Sequence, residues 1–171
     1  IGSEGSTSLK STLPEYVVGK MLSLTEKNYN DQILRETLWN SKALSSDVTA
    51  ALNPVFKSVH DPENAARLSY GLAFAKYTGS RGKAMANDAD AEFIQEIRQI
   101  FDKNEIKYQS GGFGKVDEGG GGTVAKFLAY YGIRTIDAGP ALLSMHSLFE
   151  ISSKADLYET YRAYKVFFEL D

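Results

Sequence analysis

Two periodicities organise the apolar positions of this chain. Where apolar residues recur every three or four positions a helix is expected, and short apolar runs between turn residues are expected strands. Phe93, Ile94, Ile97, Ile100 and Phe101 repeat at helical spacing behind Asn87-Asp88, the expected cap. A helix over residues 12–24 starts near Pro14, which is tolerated only in a first turn. Another follows Asn30-Asp31 and sets Ile33, Leu34 and Leu38 on one side. The last opens at Ser153, with Asp156 three residues on in a near capping box, and carries Leu157, Tyr161, Tyr164 and Phe168. A shorter helix over residues 123–131 lies between Gly122 and Gly132. Residues 43–46, 72–77, 106–109 and 133–137 are the expected strands.

Strands alternating with helices imply an α/β fold, here a three-layer α/β/α sandwich around a mainly parallel sheet. No linker long enough to divide the chain is visible, and 171 residues suffice for one domain with a real core. Apolar residues make up 43% and charged residues 24%, which argues against both disorder and a membrane protein. The formal charge of −3 supplies no basic field, so neither nucleic acid nor an anionic membrane is an expected partner. With no cysteine, disulfides and thiolate zinc sites are excluded, and a reducing cytoplasm is the expected location. Residue 1 is Ile, which fits a fragment, a processed product or the ordered part of something longer.

Candidate chemistry is sparse, and each residue has a plain alternative. Asp47 lies where a strand runs out, a usual place for ligand-binding carboxylates in α/β sheets and also for a turn aspartate. His146, flanked by apolar residues, suits either a satisfied core histidine or a metal ligand. Lys76 ends an apolar strand, where an ammonium needs a partner or must snorkel to water. Gly119 to Gly122 precede a helix, as in phosphate loops, but no Gly-Lys-Ser/Thr follows and Asp117-Glu118 would repel phosphate. A nucleotide-binding reading of this loop predicts detectable ATP binding by calorimetry, and none is expected.

Three stretches in order, Ile1-Gly2-Ser3-Glu4-Gly5, Ser45-Ser46-Asp47-Val48 and Leu143-Ser144-Met145-His146-Ser147, together resemble the co-catalytic zinc aminopeptidases that include aspartyl aminopeptidase and vacuolar aminopeptidase I. The tail Gly132-Ile133-Arg134-Thr135-Ile136-Asp137, followed by the Met-His-Ser motif, is its strongest part. The resemblance covers the opening and nearly everything from Leu44 on, and implies that residues 1–171 are the C-terminal portion of the catalytic domain. It implies that Asp47 binds one zinc ion and His146 a second, Ser46 standing where the family usually has Ala. The remaining ligands and the catalytic Glu, one of a Glu-Glu pair directly before the Ile-Gly-Ser start, would lie upstream, so no catalytic base is expected in this chain. Glu4 matches a non-catalytic acidic position. His60, Lys76, Gly121 and Gly122 would shape the pocket for the substrate's N-terminal end, with Lys76 hinting at acidic side chains and Arg81 and Lys83 on the following loop. The family pattern has Cys-Gly-Ser-Thr where this chain has four glycines. The implied function is a zinc-dependent aminopeptidase acting on peptides with a metal-activated water, assembled as a homo-oligomer, expected to be a tetrahedral dodecamer. The rival is a non-catalytic α/β module that binds peptide or protein.

Overall fold

The computed structural model describes residues 4–112 and 114–169. At its centre lie β1 (Lys42–Ser45), β3 (Leu72–Ala75), β6 (Tyr108–Ser110) and β7 (Arg134–Gly139), ordered β1-β7-β3-β6. β1 pairs parallel with β7 and β3 parallel with β6, while β3 and β7 run antiparallel, so the sheet is mixed. A second sheet joins β2 (Thr49–Ala50), β8 (Ala141–Leu143) and β9 (Ile151–Ser152), with β2 parallel to β8. β4 (Tyr77–Ser80) and β5 (Ala84–Asp88) form a hairpin.

Helices α3 (Ala91–Lys103) and α5 (Lys154–Phe168) cover one face of the central sheet. Phe93, Ile97 and Phe101 of α3 are fully buried against Leu72, Phe74, Ile136 and Ala138, with Phe101 stacked on Phe74 at 5.4 Å between ring centroids. Burying each such ring or branched chain contributes about 1.5–3 kcal/mol. Side chains alternate across a strand, so Asp137, between Ile136 and Ala138, faces the other side. There it meets the segment leading into α4 (Ala125–Tyr130). Helices α1 (Leu13–Thr25) and α2 (Asp31–Trp39) pack on each other, α2 being capped by the Asn30 side chain.

The described residues depart from the sequence expectations at three places. The cap of α3 is Asp90, whose carboxylate accepts from Phe93 N at 2.7 Å. Asn87 and Asp88 belong instead to β5. Asp90 also pairs with Arg134 at 2.9 Å, tying α3 to β7, and that guanidinium holds its carboxyl below the usual range. Asp156 does not close a capping box. It is fully buried and accepts from Ser69 N at 2.8 Å and Gly71 N at 2.7 Å, clamping the start of α5 to the entrance of β3. The strand expected over residues 72–77 breaks at Lys76, and residues 77–88 turn back as the hairpin.

Candidate metal and substrate site

Asp47 stands between β1 and β2, and the structure packs its backbone tightly. A side chain on Gly139 would sit 2.3 Å from the Asp47 carbonyl oxygen, so only glycine lets β7 pass so close. One Asp47 carboxylate oxygen accepts from Val48 N at 2.9 Å. Beside it lies a buried polar cluster centred on Asp137, in the row Ser45–Asp137–Ala75 that crosses three strands. The Thr123 hydroxyl donates to Asp137 Oδ2 at 2.7 Å, while Oδ1 is buried with no hydrogen-bond partner. Burial pushes the Asp137 carboxyl up to about 6; the Ser45 and Thr123 hydroxyls oppose this, and the Asp47 charge adds to it. Tyr164 of α5 donates to the Ala138 carbonyl, and its hydroxyl is pushed up to about 12, chiefly by burial.

Asp137 ends the Gly132–Asp137 motif without a role of its own in the sequence reading, although a lone carboxylate between Ile136 and Ala138 in an apolar strand is the available signal. Its folded-state value lies above the ordinary 3.8, so the native state holds the proton more tightly than the unfolded chain. Stability from this group is therefore present at low pH and lost as pH rises from about 4 through about 6. With the metal-free chain in urea, Asp137→Asn is expected to gain about 3 kcal/mol relative to the unsubstituted protein between pH 4 and pH 7. A difference that stays flat across that range contradicts the burial of an ionisable Asp137.

His146 follows β8 in a turn over residues 144–147, where Ser147 N donates to the Ser144 carbonyl. Both Ser144 (φ 59°) and His146 (φ 66°) are left-handed. The His146 backbone N donates to Glu150 Oε1 at 2.6 Å, and its exposed imidazole makes no hydrogen bond among the described residues. Asp47 and His146 thus flank the β2–β8 pair, one leading into β2 and the other just beyond β8. One carboxylate and one imidazole suit a borderline ion such as zinc. Among the described residues no group of three or more His, Cys, Asp or Glu could hold a metal, so what is present fits only part of a zinc site.

The remaining candidates separate. His60 ends a short 3₁₀ turn (Lys57–Val59) and is 7% exposed, with Nδ1 buried and unpartnered; burial lowers its pKa and favours the neutral ring. It lines a cavity of about 450 Å³ together with Gly120 and the residues on either side of His146. Lys76 is exposed, pairs with Asp88 and borders α3, outside that cavity. The glycine loop approaches this chain's own backbone. Gly79 N donates to the Gly121 carbonyl at 2.9 Å, and Arg81 N donates to that of Gly119 at 2.8 Å. Added side chains on Gly120 and Gly122 would meet Gly79 O at 2.6 Å and Met85 Cβ at 2.6 Å. Arg81 (φ 55°) forms the hairpin turn, and Lys83 pairs with Asp117 at 2.5 Å. Glu4 pairs with Lys10 at 2.5 Å, while the Ile1-Gly2-Ser3 motif lies outside the described residues.

Comparison with known proteins agrees with this architecture. Residues 1–168 match the family model of the aminopeptidase I zinc metalloproteases, M18. A probable M18 family aminopeptidase 1 of Borrelia garinii subsp. bavariensis is 58% identical over 99% of this chain and 37% of its own length. The crystal structure of an M18 aminopeptidase from Thermotoga maritima superposes with a TM-score of 0.91 at 49% identity, covering 97% of this chain and 37% of that one. The S. cerevisiae mApe1 dodecamer, 27% identical, gives 0.78 over 99% of this chain and 35% of its own. This chain belongs to the M18 family of zinc metalloprotease aminopeptidases. It spans little more than a third of the length of the relatives it matches.

Proposed function

We propose that these residues form the C-terminal part of the catalytic domain of a zinc aminopeptidase that removes N-terminal amino acids from peptides. The observation that carries the reading is the match of residues 1–168 to the family model of the aminopeptidase I zinc metalloproteases. In this reading Asp47 holds one zinc ion and His146 the other. Bound zinc supplies Lewis acidity, polarising a carbonyl and lowering the pKa of a water. The upstream Glu-Glu pair supplies the general base and a further ligand. Asp137 lies buried close enough to Asp47 to feel its charge and takes the Thr123 hydroxyl on one oxygen. His60, Lys76, Gly121 and Gly122 are the proposed substrate-facing residues. A homo-oligomer, in the form of a tetrahedral dodecamer, is the proposed assembly, and the cytoplasm the proposed location. No helix among the described residues is long and apolar enough to cross a membrane.

The lack of a three-ligand group among the described residues favours one alternative for this polypeptide by itself, a non-catalytic binding module. Metal analysis and turnover of aminoacyl substrates separate the two. The full-length protein is expected to bind zinc and release N-terminal residues, with activity lost to a chelator and restored by zinc. The 171-residue chain alone is expected to hydrolyse none of the same substrates. Turnover by the short chain would overturn the upstream base, and zinc-independent inactivity of the full-length protein would overturn the enzyme.

A further inference from the structure

A groove of about 580 Å³ runs where the end of α2, the end of β5 and the start of α3 meet β7, and none of Asp47, His60 and His146 lines it. Asp88, Asp90 and Glu92 line it, and Arg134 is the one cation among the described residues that does. That guanidinium is already engaged, by Asp90 at 2.9 Å and by Glu96 at 3.6 Å, and Asp88 is held by Lys76. Glu92 is exposed and enters no ion pair of 4 Å or less among the described residues. Asn87 also lines the groove. It is 8% exposed, and its amide Nδ2 is buried with no hydrogen-bond partner among the described residues. Such a donor is costly unless an acceptor reaches it. A further wall is Trp39, which is 70% exposed. An added side chain on Gly132 would meet Trp39 Cε3 at 2.6 Å, so the indole rests against the backbone entering β7 and keeps most of its surface open.

We propose that this groove binds an arginine side chain presented on a peptide segment of a partner protein. The guanidinium lies on the Trp39 ring and pairs with Glu92, and a carbonyl of the segment accepts from Asn87 Nδ2. Each feature asks for a different part of that ligand. An uncompensated carboxylate and an open indole favour a planar, weakly hydrated cation, which stacks on the ring and forks to the carboxylate where an ammonium remains a point charge. The unpartnered amide asks for a neutral acceptor, which a peptide carbonyl supplies and a free guanidinium lacks. The surplus of carboxylates repels an acidic segment. The proposal stands independently of the aminopeptidase reading.

Trp39 is the single tryptophan of these 171 residues, and the difference in emission between the full-length protein and its Trp39→Phe variant isolates its signal. Titration with N-acetylarginine amide is expected to change that emission saturably. N-acetylcitrulline amide, the neutral isostere, is expected to bind at least about fivefold more weakly, and N-acetylglutamate α-amide not at all. Ethylguanidinium, which lacks the carbonyl, is expected to bind at least about threefold more weakly than the arginine amide. Glu92→Gln is expected to weaken the arginine amide at least about threefold and to leave the citrulline amide unchanged, a selectivity that a general loss of structure would not produce. No saturable change with the arginine amide, or equal affinity for the citrulline amide, overturns the site. Ethylguanidinium binding as tightly as the arginine amide overturns the peptide assignment. An arginine affinity unaltered in Glu92→Gln overturns the pairing on which the proposal rests.

Discussion

Replacing His146 with alanine in the full-length protein is expected to halve the bound zinc, from two ions per site toward one, and to cut kcat/KM about a thousandfold. Loss of a metal that polarises the scissile carbonyl removes several kcal/mol of transition-state stabilisation, and about 4 kcal/mol corresponds to three orders of magnitude. The structure makes the substitution informative because the His146 ring is exposed and makes no hydrogen bond among the described residues. Its backbone is held separately, by the Glu150 carboxylate on the amide and by the turn from Ser144. Removing the imidazole therefore leaves the loop's own contacts intact. The left-handed φ of 66° is the one complication, since alanine tolerates it poorly. His146→Asn, which accepts that conformation and lacks the imidazole, is expected to lose zinc to the same degree. Elemental analysis beside steady-state kinetics reads both effects. Full zinc content in both variants would remove His146 from the metal site.

The second large effect falls on stability. Asp156→Ala is expected to destabilise the chain by about 3–5 kcal/mol, read as a lower urea midpoint. Asp156 is 0% exposed, and its two carboxylate oxygens satisfy the amides of Ser69 and Gly71. Truncation leaves the Gly71 amide without an acceptor at a buried site and the Ser69 amide without one at a partly buried site, the buried donor alone costing about 1–3 kcal/mol, and it removes a charged acceptor from both. Against a typical total of about 5–15 kcal/mol that is a large share. Asp156→Asn is expected to recover about half, because one amide oxygen still accepts while the NH₂ group faces a donor. A midpoint for the alanine variant within about 1 kcal/mol of the unsubstituted protein would contradict the clamp.

Where local periodicity governed an element, the sequence was a good guide. The stripe Phe93, Ile97, Phe101 required a buried helix whatever the fold, and α3 runs from Ala91 to Lys103. Its cap, Asp90, lies two residues beyond the expected Asn87-Asp88, because Asn87, Asp88 and Asp90 are all plausible N-caps. The choice was made by β5, which draws Asn87 and Asp88 into pairing with Thr78 and Tyr77 and leaves Asp90 to turn the chain toward Arg134. The hairpin itself was hard to read, since Arg81 and Met85 adopt left-handed backbone without being glycine. The glycine loop supports that hairpin through backbone contacts, which carry no side-chain signature.

The same division holds for the candidate site. Asp47, His146 and the order of the motifs were legible because each is a short run whose letters resemble a known family, and membership of M18 bears that resemblance out. The environment of each residue was not legible. That Lys76 meets Asp88, that His60 is buried with Nδ1 unpartnered, and that Asp137 sits buried beside Asp47 depend on groups brought together across the fold. The sequence by itself determined the helical stripes, the α/β alternation and the chemical identity of the motif residues. These reside in side chains a few positions apart and survive in any arrangement of the rest. Only the tertiary structure decided which carboxylates lose their water and which charges find partners, because desolvation and Coulomb energy depend on distance in space, and 85 residues separate Gly71 from Asp156 along the chain.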